Sequence, residues 1–176
     1  MKRVFVVLTV LLLCGIAFAS AVQAATSGTA TVTLAASAKA MIQILDPAVT
    51  LNPTDTDYDN DFVEAAGASG LRVRVKTNSS TGLILSVRCS DASPQIALAD
   101  LLVRTQTGPG AGGSSMAAYT PITAVDQTLW STGASQHPWV TVTTDVRVEN
   151  IINYDDALGA GTTSYTNTLT YTVVAQ

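Results

Sequence analysis

From residue 29 onward, apolar and polar side chains change places at almost every step. Ala30, Val32, Leu34, Ala36, Ala38, Ala40, Ile42 and Ile44 share one parity, and Thr29, Thr31, Thr33, Ser37, Lys39 and Gln43 the other. Successive side chains of a β-strand point to opposite faces, so a period of two sends one face to a core and the other to water. The pattern returns in Leu71, Val73 and Val75 against Arg72, Arg74 and Lys76, and in Leu83, Leu85, Val87 and Cys89 against Ile84, Ser86 and Arg88. It returns again in Val140, Val142, Val146 and Val148, and in a last run with Tyr165, Asn167, Leu169, Tyr171 and Val173 on one side and threonines on the other. Shorter strands are expected over 101–105, 119–125 and 127–130. No stretch repeats apolar residues at the helical spacing over three turns, and only 96–100 suggests a short helix. The first alternating run is too long for one ordinary strand, and a bend near Ala35-Ala36 divides it.

About eight short strands with polar outer faces need a second layer to cover their apolar sides. The expected fold is all-β: an immunoglobulin-like antiparallel β-sandwich of about seven or eight strands, with a barrel as the other arrangement the periodicity admits. Asn78 to Gly82 reads as a polar turn closing a hairpin between the runs at 71–76 and 83–89. Two long loops interrupt the strands, an acidic one over 46–69 and a glycine-rich one over 107–115.

The beginning of the chain carries a different signal. Met1-Lys2-Arg3 is basic, residues 4–16 are almost wholly apolar, and residues 17–24 are small and end Val22-Gln23-Ala24. That order is the one a secretory signal takes, with cleavage expected after Ala24. The apolar run of about 13 residues is shorter than the ~20 of a spanning helix. The expected mature chain is a single domain over 25–176 with no membrane span, exported to the cell surface, through the periplasm in a Gram-negative cell. Losing Lys2 and Arg3 takes the formal charge from −4 to −6. Cys14 would leave with the leader, so the mature chain keeps Cys89 alone and forms no internal disulfide. Composition narrows the role further. At 47% hydrophobic and 12% charged residues the chain is no disordered segment. An acidic balance offers nothing to neutralise phosphates, which argues against nucleic acid as a partner.

Few residues suggest chemistry. Asp55, Asp57, Asp59 and Asp61 alternate, and carboxylates at every second position of a loop can converge on calcium. Asn60 and Ala66, however, stand where a calcium loop has its glycine and its last glutamate. The same residues also read as a solvated acidic turn. Arg72, Arg74, Lys76 and Arg88 are expected on the outer face of one hairpin, with Arg72 opposite Arg88, and such like charges want acidic company. Either the Asp55–Glu64 loop lies over them or solvent screens them; the sharper reading is a docking patch for an acidic neighbouring subunit or an anionic polysaccharide. His137 has no second histidine, and Cys89 falls on the inward parity of a small core residue. Trp130 and Trp139 flank a turn and are expected to pair across a hairpin. No catalytic set emerges, and an enzyme is not expected.

A Thr/Ala-rich first strand (TATVTLAASAKAMIQI) follows the leader, GLRVRVKTNSSTGLILSV comes next, and the chain closes with SYTNTLTYTVVAQ. In this order of features the chain resembles the secreted bacterial β-sandwich proteins grouped around spore coat protein U and the archaic chaperone–usher pilus subunits. The resemblance implies an incomplete immunoglobulin fold whose missing edge is filled by a neighbour's N-terminal strand. It implies residues 25–34 as the donor, with Ala30, Val32 and Leu34 inserting, and the strand carrying Leu169, Tyr171 and Val173 as the acceptor edge. The implied function is a structural subunit of a fibre, pilus or coat. Its implied partners are copies of itself, a periplasmic chaperone and an outer-membrane usher. The alternative expectation is an extracellular carbohydrate- or ligand-binding module, assisted by calcium at the Asp55–Asp61 residues, with no other cofactor.

Overall fold

The computed structural model describes residues 31–105, 113–155 and 164–176. The leader over 1–24, Cys14, donor residue Ala30 and most of the glycine-rich loop lie outside them. The chain divides into two compact units, 1–35 and 36–176. In the first, residues 31–35 adopt no regular secondary structure, and Val32 and Leu34 are 93% and 87% exposed.

In chain order, the elements of the second unit are β1 (Ala40–Ile44), α1 (Asp55–Asn60), β2 (Phe62–Ala65), a 3-10 turn (Gly67–Ser69), β3 (Leu71–Thr77), β4 (Leu83–Cys89), β5 (Leu101–Thr105), β6 (Gly113–Ser115), β7 (Thr120–Pro121), β8 (Gln127–Thr132), β9 (Gln136–Glu149), α2 (Ile152–Asp155) and β10 (Leu169–Ala175). They form two antiparallel sheets. One has the order β1-β3-β9-β5-β7, with β2 also paired to β9; the other has the order β10-β4-β8-β6.

The alternation read from the residues explains the layers. On β3 the valines Val73 and Val75 are fully buried, and on β4 so are Leu83, Leu85 and Val87. Val103, Leu129, Trp130 and Val142 complete the centre of the core at 1% exposure or less. Each such side chain contributes roughly 1.5–3 kcal/mol of burial, so the seam between the sheets carries the fold. Both sheets have free edges, so the sandwich forms and the barrel does not. Among the described residues there are ten strands, beyond the seven or eight expected, because β2, β6 and β7 are only two to four residues long.

An immunoglobulin sandwich places strands ABED in one sheet and CFG in the other. Here β1, β3, β9 and β5 take the first order, and β4 and β10 take the places of C and F. Among the described residues, no strand takes the place of G, beyond β10.

Several expectations need correction. Strands β3 and β4 do not pair; they lie in different sheets, and the turn between them is a corner of the sandwich. Gly82, at φ +93°, makes that corner, and a Cβ on it would sit 1.7 Å from the Thr132 carbonyl oxygen. The hydroxyls of Ser79 and Thr81 both donate to the Gln176 carbonyl, and Gln176 N donates to Gly82 O at 3.0 Å, which ties the corner to the end of β10. Alternation specifies which face of a strand is buried, and an inward face meets the same core from either sheet. The strand expected over 119–125 shrinks to Thr120–Pro121, and the first long run to Ala40–Ile44. The helix expected over 96–100 is a turn, closed by Asp100 N and Leu101 N donating to Ala97 O. Helical turns occur instead at α1 and α2.

Candidate functional site: an open flank between the sheets

Strand β1 is the edge of one sheet and β10 the edge of the other, and the two pack side by side on one flank of the sandwich. Among the described residues each pairs with a single neighbour, β1 with β3 and β10 with β4. The inward residues of β10, namely Leu169, Tyr171 and Val173, pack on the core but stay half-buried. The residues opposite Leu169, Tyr171 and Val173 on β4 are Cys89, Val87 and Leu85, at 2% exposure or less. Ile44, at the end of β1, is 43% exposed. Between these edges and the 46–53 loop opens a cleft of about 910 Å³, lined among others by Ile44, Leu71, Ile96, Val148, Leu169 and Tyr171. Its wall is mainly apolar.

The Tyr171 hydroxyl points inward to a spot without a full hydrogen-bond partner, and Thr144 Oγ1 is likewise buried and unpaired. Burial pushes the Tyr171 hydroxyl up to about 12, with the neighbouring Thr144 pulling slightly the other way.

A polar latch shapes one end of the cleft. Asn167 Oδ1 accepts from Gln95 N at 2.8 Å and Ile96 N at 2.9 Å, while its Nδ2 donates to Ile96 O at 2.7 Å. Tyr154 donates to Asp100 Oδ2 at 2.7 Å and accepts from Ala97 N at 3.0 Å. Tyr165 donates to the Tyr154 carbonyl, and the two rings meet edge-on with centroids 5.0 Å apart. Desolvation first, and then the Asp100 carboxylate, push Tyr154 up to about 12. The latch holds the segment entering β10 against the 95–100 turn, so the apolar wall is pre-formed. A polar Asn167 on the otherwise apolar parity was the available signal for it.

Leu169, Tyr171 and Val173 fall on β10, at the end of its sheet's strand order. The four aspartates do not gather. Asp55, Asp57 and Asp59 belong to α1, where residues two apart diverge around the helix. Asp57 Oδ2 accepts from Thr54 N at 2.8 Å and Thr54 Oγ1 at 2.7 Å, which holds its carboxyl below the usual range. Asp61 sits in the left-handed region at φ 57° and accepts from Ile152 N at 3.2 Å. Among the described residues, no three His, Cys, Asp or Glu side chains come together in a way that could hold a metal ion.

The basic residues also separate. Arg72, Arg74 and Lys76 lie on the outer face of β3, while Arg88 lies on the other sheet, 3.5 Å from Asp126. Arg72 grips Asp46 from Nε at 2.6 Å and Nη2 at 3.0 Å, and that bond holds the Asp46 carboxyl down. Arg74 Nε donates to Gln43 Oε1 at 2.8 Å, and its guanidinium lies 5.0 Å from the Trp139 ring centre. Lys76 Nζ lies 4.6 Å from the same ring. The tryptophans do not pair, because Trp130 is buried in the core and Trp139 is on the outside with these cations.

One cluster was missed altogether. Asp145 faces outward from β9 yet is fully buried, accepting from Gly67 N at 2.8 Å and Arg104 Nε at 2.9 Å. Beside it Glu64 receives Arg147 at 2.7 Å and the Tyr119 hydroxyl at 2.9 Å, and both arginines stack on Tyr119. The Arg147 bond lowers Glu64, and burial, then Glu64, pushes Tyr119 up to about 12. A lone aspartate in a Val/Thr strand was the only hint.

Among the described residues no helix is long and apolar enough to cross a membrane. No family model, curated protein or solved structure matches the chain.

Proposed function

We propose that the protein is an exported structural subunit of a cell-surface fibre, pilus or coat, and that copies join by strand addition at the open flank. The carrying observation is the half-buried row Leu169, Tyr171 and Val173 on an edge strand with one partner. A strand laid beside β10 would satisfy its free backbone groups and cover that row. Residues 25–34 of another copy suit the place. Ala30, Val32 and Leu34 recur at the two-residue step that aims side chains into one face, and Val32 and Leu34 are exposed. Ten extended residues reach about 33 Å, more than the seven of β10 need. A cleft of this kind is costly to leave open before assembly. A periplasmic chaperone and an outer-membrane usher, the partners the resemblance implies, would cover it in transit. The reading as a calcium-assisted carbohydrate module is weaker, because the aspartates diverge and Trp139 is engaged by Arg74 and Lys76.

The test is assembly of chain 25–176, followed by electron microscopy and sedimentation. Fibres or large oligomers are expected from that chain and none from Val32→Asp/Leu34→Asp, which should melt at the same temperature because both positions are exposed. Equal assembly by the double variant would refute strand donation by this segment.

A further inference from the structure

We propose a second contact between copies: Arg74 and Lys76 of one chain dock on Asp55 and Asp59 in α1 of another. The proposal rests on the reading that copies assemble, but it uses residues outside the acceptor cleft.

Among the described residues, Arg72, Arg88, Arg104 and Arg147 each meet a carboxylate. Arg74 and Lys76 meet none, and neither does the exposed Lys39; Arg74 and Lys76 differ from it in lying half-buried against Trp139, with Gln43 as the only polar side-chain partner of Arg74 among the described residues. The ring and the glutamine hold the two cations in place, which lowers the ordering cost of binding an anion. Two residues apart on one strand face, they stand about 6.5 Å from each other along the backbone.

The acidic side has a matching asymmetry. Asp57 is occupied by Thr54 and Asp61 by Ile152 N. Asp55 and Asp59 are exposed and, among the described residues, make no side-chain hydrogen bond or ion pair. Four residues apart on a helix, they share a face with their Cβ atoms about 5–6 Å apart. Two free cations and two free carboxylates thus stand at nearly equal spacing on different parts of one surface. Without Lys2 and Arg3, chain 25–176 carries a formal charge of −6, so copies repel at long range, and a local cationic patch gives approach an orientation. A basic patch meeting a different acidic patch is a head-to-tail contact, which propagates into filaments when it does not close. An anionic polysaccharide would use the same two cations but would not need Asp55 and Asp59, which is where the experiment separates the two ligands.

The experiment uses chain 25–176 in three forms: unchanged, Arg74→Glu/Lys76→Glu, and Asp55→Lys/Asp59→Lys. Assembly is followed by light scattering at low and high salt. Each variant alone should assemble about tenfold more slowly than the unchanged chain at low salt, with the difference shrinking as salt rises. A one-to-one mixture of the variants should recover the rate, because it restores one native and one swapped pairing. In a mixture of isotope-labelled and unlabelled unchanged chain, carbodiimide should join Lys76 to Asp55 or Asp59 across the two labels. Unchanged rates in both variants, or no recovery on mixing, overturns the contact. Slowing of the Arg74→Glu/Lys76→Glu chain alone, with added anionic polysaccharide restoring nothing to it and binding only the unchanged chain, assigns the patch to polysaccharide and also overturns it. The two proposals fail separately. Val32→Asp/Leu34→Asp stops strand donation with this patch intact, while the charge variants leave residues 25–34 untouched.

Discussion

The two flanks of the sandwich are finished differently. On the flank where β5 and β8 approach, Met116 joins the layers: Thr105 N donates to Met116 O at 2.8 Å, and Met116 N donates to Leu129 O at 3.0 Å. Thr105 Oγ1 adds a bond to Leu129 O at 3.1 Å. One backbone residue thus hydrogen-bonds to both sheets. On the other flank β1 and β10 lie edge to edge, and the apolar row on β10 stays partly exposed. The same alternating pattern made both sides. What differs is whether a further segment of chain closes the gap. A stable core can therefore coexist with one unfinished edge, because the fully buried strand residues lie on β3, β4, β5, β8 and β9 and none of them on the edge strands β1 and β10 themselves.

That contrast can be broken or sharpened by mutation, and the largest effect should come from the core. Leu85→Ala should cost about 2–5 kcal/mol in urea unfolding. Leu169→Ala, at the open flank, should cost less than half as much in the isolated chain, because its side chain is already partly in water. Equal costs would mean the flank is closed in solution. Met116→Pro removes the donor to Leu129 and should cost about 1–3 kcal/mol, with faster amide exchange along β5 and β8 and little change on β10.

Alkaline pH probes the same contrast. Tyr171, Tyr154 and Tyr119 are each held up to about 12 from 10.0. A raised tyrosine favours the folded state below 10 and loses that contribution as pH climbs from 10 through 12. Stability should therefore fall across this window. Tyr171→Phe should flatten the fall and, by removing an unpaired buried hydroxyl, leave the neutral-pH stability little changed. A spectrophotometric titration of tyrosinate alongside urea unfolding checks both.

The smallest effect belongs to the outer face. Glu64 is lowered from 4.5, chiefly by its bond to Arg147, so its contribution is complete above 4.5 and fades as pH drops below that. The pair is partly exposed, and Glu64→Gln should cost under about 1 kcal/mol at neutral pH and nothing measurable near pH 2.

What could be read from the residues was the faces of the strands. Leu83, Leu85 and Val87 inward, and Thr170 and Thr172 opposite Leu169, Tyr171 and Val173, follow from hydrophobic burial acting at a two-residue step. Partners could not be read in this way. The Asn78–Gly82 turn suits a hairpin by composition, and only the left-handed Gly82 pressed on Thr132 turns it into a corner between sheets. Helix α1 was hidden because it buries no side chain. It is started by the Thr54–Asp57 cap, a local signal that apolar spacing does not carry. Asp145 was hidden for the opposite reason: its cover, Gly67, comes from 78 residues earlier in the chain.

Everything proposed for assembly depends on the β10 edge accepting a strand. The most direct measurement is amide hydrogen exchange on chain 36–176, one compact unit, with and without a peptide of residues 25–34. If a strand adds there, exchange should slow along β10 and β1 when the peptide is present, change less on β5 and β8, and not respond to a peptide carrying Val32→Asp and Leu34→Asp. Unchanged exchange on β10 at millimolar peptide would contradict it.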